Sequence, residues 1–294
     1  MDAQSSVSEF KGIQPLEYFQ QHIENGIRVD GRRSLHDFRP VTISQGTISS
    51  ADGSAVIKQG NSVFVCGIKL ELAPPNPNEQ NKGFIVANVD LPPLCHSQFK
   101  PGPPSEQAQV ASKFVKEVLE NSGIVKLEDL NIKEGKLSWV VNVDIMCLNH
   151  DGNVLDCALK ALLMAFTDLT LPEVTLQEDD EAVVETGGKI VVNNEKRSKL
   201  TLHSKPIACS MAIFDEKILV DPTEQEEALA ESLVTVVLDA NSGDLVHFYK
   251  PGGSSISRQK MQECTGLAKK QYKTIAKSID QAGVVTKMDS KQSK

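Results

Sequence analysis

Basic charge is in deficit in this chain of 294 residues: Lys and Arg number 31 against 39 Asp and Glu, a net charge of −8 with a pI near 5.4. That balance argues against a protein that coats nucleic acid electrostatically. Aromatic residues make up only 5% and include one Trp, so extensive base stacking is poorly supported and a free-standing RNA-binding protein is disfavoured. Long apolar runs are missing. Stretches such as 62–66 and 139–141 are far too short to cross a bilayer, and the opening 1–9 is acidic and polar, so neither a membrane span nor a secretory leader is expected. The six cysteines show no CxxC spacing, which predicts small buried hydrophobes in a reduced, intracellular setting. A zinc site from Cys147, His150 and Cys157 would lack the tight ligand pairs usual for structural zinc. No GxxxxGK[ST], GxGxxG or GxSxG occurs, and Gly187-Gly188-Lys189 lacks the rest of a P-loop.

What is present is an ordinary globular composition, 40% hydrophobic and 24% charged. The Ser-rich opening reads as flexible through residue 15, followed by a folded body over 16–280 and a flexible tail over 281–294. Apolar spacing predicts a helix over 16–24, then strands over 46–50, 54–59, 62–72 and 84–89. A helix over 105–121 follows Pro103-Pro104 and stops at Gly123. Strand 137–148 alternates, with Trp139, Val141, Val143, Ile145 and Cys147 on one face and Asp144 on the more polar other. The apolar helix 155–166 should be deeply buried. The acidic run 178–185 reads as a solvated loop within a hinge near 178–199. Beyond it come strands over 200–202, 207–214, 218–220, 233–239 and 245–249, a short helix over 224–231, and a closing helix over 257–280. Strands thus precede a helix in both halves. The strands 62–72 and 233–239 are the candidate sheet edges.

Two constellations could carry chemistry. Asp144, Asp151 and Asp156 surround a strand-turn-helix junction, where paired carboxylates can hold a metal or act as an acid. The structural reading is that Asp151-Gly152 makes an ordinary turn while Asp156 complements the helix N-terminus and pairs with Lys160. Helix starts after Pro104 and Asn153 could bind phosphate, but between Gly152 and Asp156 there is no cation. The basic residues Arg28, Arg32, Arg33, Lys100, Lys113 and Lys116 either line a phosphate path or are solvated surface charges, and the basic closing helix reads as a solvated face.

Seven short pieces occur together in order: Arg28-Val29-Asp30-Gly31-Arg32, Ala51-Asp52-Gly53-Ser54, Val89-Asp90-Leu91-Pro92-Pro93, Pro101-Gly102-Pro103-Pro104, Asp151-Gly152-Asn153-Val154-Leu155-Asp156, Val220-Asp221-Pro222-Thr223 and Lys250-Pro251-Gly252-Gly253. Each alone is a weak loop signal. In combination, over 16–280, the chain resembles the RNase PH-like ring subunits of the eukaryotic RNA exosome, and within them the non-catalytic branch.

The resemblance implies an α+β RNase PH fold of the ribosomal protein S5 domain 2-like class, with an internal duplication and mixed sheets packed with helices. It implies a hetero-oligomeric ring around a channel for single-stranded RNA, with other RNase PH-like ring subunits, S1/KH-domain cap subunits and nuclease subunits as partners, and no membrane. The implied work is 3'-to-5' RNA processing and degradation in nucleus, nucleolus and cytoplasm, with no cofactor and no catalytic residue of its own. In phosphorolytic members the turn matching Gly152-Asn153-Val154-Leu155 ends in an Arg that holds phosphate; here that position is Leu155. Two acidic positions of active members fall near Gln225 and Leu233. The degenerate active-site positions are then Asp144, Leu155, Asp156, Gln225 and Leu233, and Lys100 and Lys113 are RNA-channel candidates, a second basic position being replaced by Glu117. The rival is an active phosphorolytic 3' exoribonuclease with a divalent metal near Asp144 and Asp156.

Overall fold

The computed structural model describes residues 14–177, 189–214 and 217–289. The opening through residue 13, the acidic run 178–185 and the end beyond 289 lie outside them.

Helix α1 (Pro15–Glu24) leads into a sheet built from β1 (Val41–Gln45), β2 (Gly53–Gln59), β3 (Ser62–Ala73), β4 (Phe84–Asp90), β5 (Asn131–Lys133) and β6 (Leu137–Asn149), in the order β1-β2-β3-β6-β4 with β5 also on β6. Only β4 runs parallel to its neighbour, β6. Alternation in β6 sorts its faces as expected: Trp139, Val141, Val143, Ile145 and Cys147 are buried, and Asp144 is exposed. Helix α2 (Glu106–Ser122) begins where the Ser105 side chain accepts the Ala108 amide and ends at the left-handed Gly123.

Helix α3 (Val154–Asp168) is apolar around nearly its whole circumference because both of its sides are covered. It packs on β2 and β3 from one direction and on β9 (Pro206–Phe214) from the other. Each fully buried leucine there, such as Leu159 or Leu162, stabilises by about 2 kcal/mol. The second sheet runs β10 (Lys217–Val220), β9, β11 (Ser232–Asp239), β12 (Leu245–Tyr249), all antiparallel, with the capped one-turn helix α4 (Glu224–Leu229) after β10. The closing helix α5 (Arg258–Asp289) covers β9 and β11 and reaches across to β1, while α2 reaches across to β12. The halves therefore interlock, and one apolar cluster runs through both, joining Phe64 and Leu162 to Ile207 and Val237.

Several expectations change. The first ladder partner of β2 is 41–45 rather than 46–50, because Gly46 turns left-handed (φ +67°) and ends the pairing. Residues 200–202 pair with no strand; the chain crosses between sheets there, tied by the His203 amide to the Ile124 carbonyl. Part of the expected hinge, 189–199, is β8 (Lys189–Lys199), hydrogen-bonded to β7 (Thr170–Gln177). The proposed edges are interior strands; β1, β4, β10 and β12 are the edges instead. Finally α5 continues nine residues past Asp280, through Gly283.

Candidate functional site

The turn from β6 to α3 is shaped by two left-handed residues, Gly152 (φ +76°) and Asn153 (φ +57°). Any side chain at Gly152 is excluded, since a Cβ there would lie 2.5 Å from both the Glu224 nitrogen and the Thr223 carbonyl carbon. The turn is thus pressed against the start of α4, and the two halves meet at this point.

Behind the turn lies a buried ionic network. Asp221, itself left-handed (φ +52°) and fully buried, accepts from the Arg39 amide (2.8 Å), Arg39 Nε (3.0 Å) and Nη2 (2.8 Å), Gln59 Nε2 (2.7 Å) and Asn153 Nδ2 (2.6 Å). Burial alone would raise its carboxyl, but the Arg39 hydrogen bonds and charge, with Lys160 and Asn153, hold it down at about 2. Arg28 is buried against Glu226 and donates to the Val220 and Asp221 carbonyls; Arg32 also meets Asp221 and Glu226. These two arginines therefore lock the N-terminal segment onto the second half and are neither surface charges nor free for RNA.

Asp156 is fully buried and saturated. Its carboxylate accepts the Ser210 hydroxyl (2.7 Å), the Ser210 amide (3.1 Å) and Asn153 Nδ2 (3.1 Å). Lys160 does not pair with it and instead donates to Gln59 Oε1 (2.6 Å). Asp144 sits on the exposed face of β6, across the sheet from α3, so the two carboxylates do not share a site. Among the described residues no three His, Cys, Asp or Glu side chains converge to hold a metal, and burial pushes the Cys157 thiol up to about 12.

In front of the turn opens a cleft of about 650 Å³ between α2, the start of α3, α4 and the second sheet. Its walls include Phe99, Val110, Leu155, Leu233 and Pro251; its polar floor is Asn153, Ser210, Thr235 and Glu227, and Glu106 stands at one side. Among the described residues that line it there is no Lys, Arg or His. The N-cap amide of α3, that of Asn153, already donates to Glu227 Oε1 at 2.7 Å. Burial, reinforced by Asp156 and Asp221, pushes the Glu227 carboxyl up to about 8, against the pull of that amide and of Arg39.

Of the residues singled out from sequence, Leu155 and Leu233 meet in this cleft, Asp156 lies behind its floor, and Gln225 is exposed on α4 outside its lining. Lys100 is exposed after Phe99, and Lys113 is exposed on α2 with its ammonium 3.7 Å from Glu117. Sequence reasoning missed Glu226 and Glu227: in Glu224-Gln225-Glu226-Glu227 no periodicity tells which acids turn inward, and only the contacts with Arg28 and Asn153 do.

Comparison with known proteins shows the family. The family models described as "3' exoribonuclease family, domain 1" and "domain 2" match residues 37–172 and 205–271. The chain is 38% identical over 265 residues to the exosome complex component rrp43 of Schizosaccharomyces pombe, covering 90% of this chain and 95% of that protein. It is 32% identical to the exosome complex component Rrp42 of Methanopyrus kandleri, covering 87% and 92%. In three dimensions it is similar to a chain of the Archaeoglobus fulgidus exosome with RNA bound to the active site, with a TM-score of 0.78 at 27% identity, covering 89% of this chain and 96% of that one.

Proposed function

Since the chain belongs to the RNase PH-like 3' exoribonuclease family, we propose that it is a non-catalytic structural subunit of the RNA exosome core ring. In this reading it supports 3'-to-5' RNA processing and degradation by forming the ring and its RNA channel. Other RNase PH-like subunits flank it, single-stranded RNA passes it, S1/KH-domain subunits cap the ring, and separate nuclease subunits cut. The ring assignment is supported by relatives, covered almost end to end, that are exosome components.

Catalytic silence is supported by the chemistry of the cleft. Phosphorolysis needs a phosphate nucleophile held in place and positive charge where negative charge develops. Here, among the described residues, the lining holds Leu155 and Leu233 and no Lys, Arg or His, and a carboxyl group of the chain itself, Glu227, already occupies the Asn153 amide. A phosphate at that amide would have to displace Glu227, and no described lining residue would offset its charge. The test is direct: the purified chain, given single-stranded RNA, magnesium and phosphate, should release no nucleoside diphosphates, and co-expressed with its paralogues it should enter a complex at one copy per ring. Phosphate-dependent release of diphosphates would sink the non-catalytic reading; a monomer that binds no paralogue would sink the ring reading.

A further inference from the structure

We propose that the cleft in front of Asn153 is a receptor for a cationic side chain, arginine or lysine, carried on a protein segment. The inference follows from where the protons on the cleft floor go, and it does not depend on ring membership.

Two buried carboxylates behind the floor draw every available donor inward. Both Nδ2 protons of Asn153 are consumed, one by Asp156 (3.1 Å) and one by Asp221 (2.6 Å). That fixes the orientation of the amide and leaves Oδ1 as an acceptor without a partner, on a residue only 1% exposed that lines the cleft. The single hydroxyl proton of Ser210 goes to Asp156, so in the 2.8 Å contact between Ser210 and Thr235 it is Thr235 that donates. The oxygen of Thr235, a residue that lines the cleft, is then left with lone pairs only. Glu227 adds a carboxyl group with one oxygen engaged by the Asn153 amide; a cation seated beside it favours the ionised form, which is acceptor-only.

The floor therefore presents acceptors. A buried acceptor left unpaired is costly, and the group that answers several at once is a donor-rich cation. The walls suit the rest of such a side chain, since Val110, Leu155 and Leu233 offer apolar surface to the methylene stem of a lysine or arginine. A phosphate or an RNA backbone would meet Glu227 and Glu106 with no cation in the lining to offset them. The same position that holds an anion in phosphorolytic relatives is, in this chain, built with the opposite polarity.

Methyl NMR on the chain labelled at Ile, Leu and Val, alone and in the assembled complex, reports directly on Val110, Val154, Leu155 and Leu233. Adding acetyl-Gly-Arg-Gly-amide should shift these methyls and leave Val86, on the far β4 face, unmoved. The citrulline counterpart, equal in shape and neutral, should bind at least about tenfold more weakly, as loss of a charge-assisted hydrogen bond requires. Glu227→Gln should weaken the arginine peptide by about the same factor, and Leu155→Arg, which places the chain's own cation in the cleft, should abolish binding. Equal affinity for the arginine and citrulline peptides would overturn the proposal, as would inorganic phosphate shifting these methyls while the arginine peptide does not. Should Glu227→Gln fail to fold, the two peptides on the unaltered chain still decide. A chain that discriminates them yet enters no ring would support the receptor and refute the ring assignment.

Discussion

Asp156→Ala separates a structural carboxylate from a catalytic one. In the native chain this carboxylate takes the Ser210 amide, the Ser210 hydroxyl and one Asn153 Nδ2 proton, all in the buried seam between α3 and β9. After truncation the hydroxyl can rotate, and Asn153 keeps its bond to Asp221 at 2.6 Å. The Ser210 amide cannot move, because it belongs to the ladder of β9. One backbone donor is thus orphaned outright and a second is half-satisfied, each having lost a bond to a charged acceptor worth about 1.5–3 kcal/mol. The expected destabilisation is about 3–5 kcal/mol, a large share of the total stability of a domain. The control is Asp144→Ala, which removes an exposed side chain on the far face of β6 and should cost no more than about 0.5 kcal/mol. Equilibrium urea denaturation of the full chain measures both. Equal effects of the two substitutions, or a stabilisation by magnesium that both abolish, would refute the structural role and restore a shared metal site.

Stability should also fall as pH rises from about 4.5 to about 8, because across that window folded Glu227 keeps a proton that the unfolded chain has lost. Glu227→Gln should flatten the profile by up to roughly 4 kcal/mol at pH 9 relative to pH 5 in thermal melts; a flat profile in the unaltered chain would contradict the assigned burial. Gly152→Ala should cost at least about 2 kcal/mol, or prevent folding, since its Cβ meets backbone at 2.5 Å and φ is positive; a melting temperature within a degree of the parent would show that the turn and α4 can separate. Changing Lys100 and Lys113 together to Glu should leave assembly intact and weaken RNA retention in a salt-dependent way; if RNA crosslinks never fall between Phe99 and Glu117, these lysines do not face the RNA path.

Much of the fold was legible because its long elements carry strong periods. The alternation of β6 and the apolar run of α3 decide their own faces, and Ser105 and Gly123 bracket α2. The sequence hid elements whose existence depends on a partner. Strands β7 and β8 contain Pro172 and a stretch of charged residues, and are strands only because they pair with each other. The candidate site divided in the same way. Leu155 was informative because the resemblance implies a cation at that position and the sequence has a hydrocarbon there. Glu227, Arg39 and Ser210 were silent, since nothing local distinguishes a charge that closes a buried network across 182 residues, as Arg39 does with Asp221, from one facing water.

The crosswise seating of the helices has a consequence in time. During synthesis α3 emerges with only one of its two covers, for β9 is still to come, and β1 waits for α5, about 90 residues after α3 ends. At roughly 5–20 residues per second that interval lasts about 5–20 s. For the first about 2–8 s of it, until β9 begins 38 residues after α3 ends, a helix as apolar as Leu159, Leu162 and Phe166 make it stands half uncovered, and the middle third of the nascent chain offers chaperones an apolar surface.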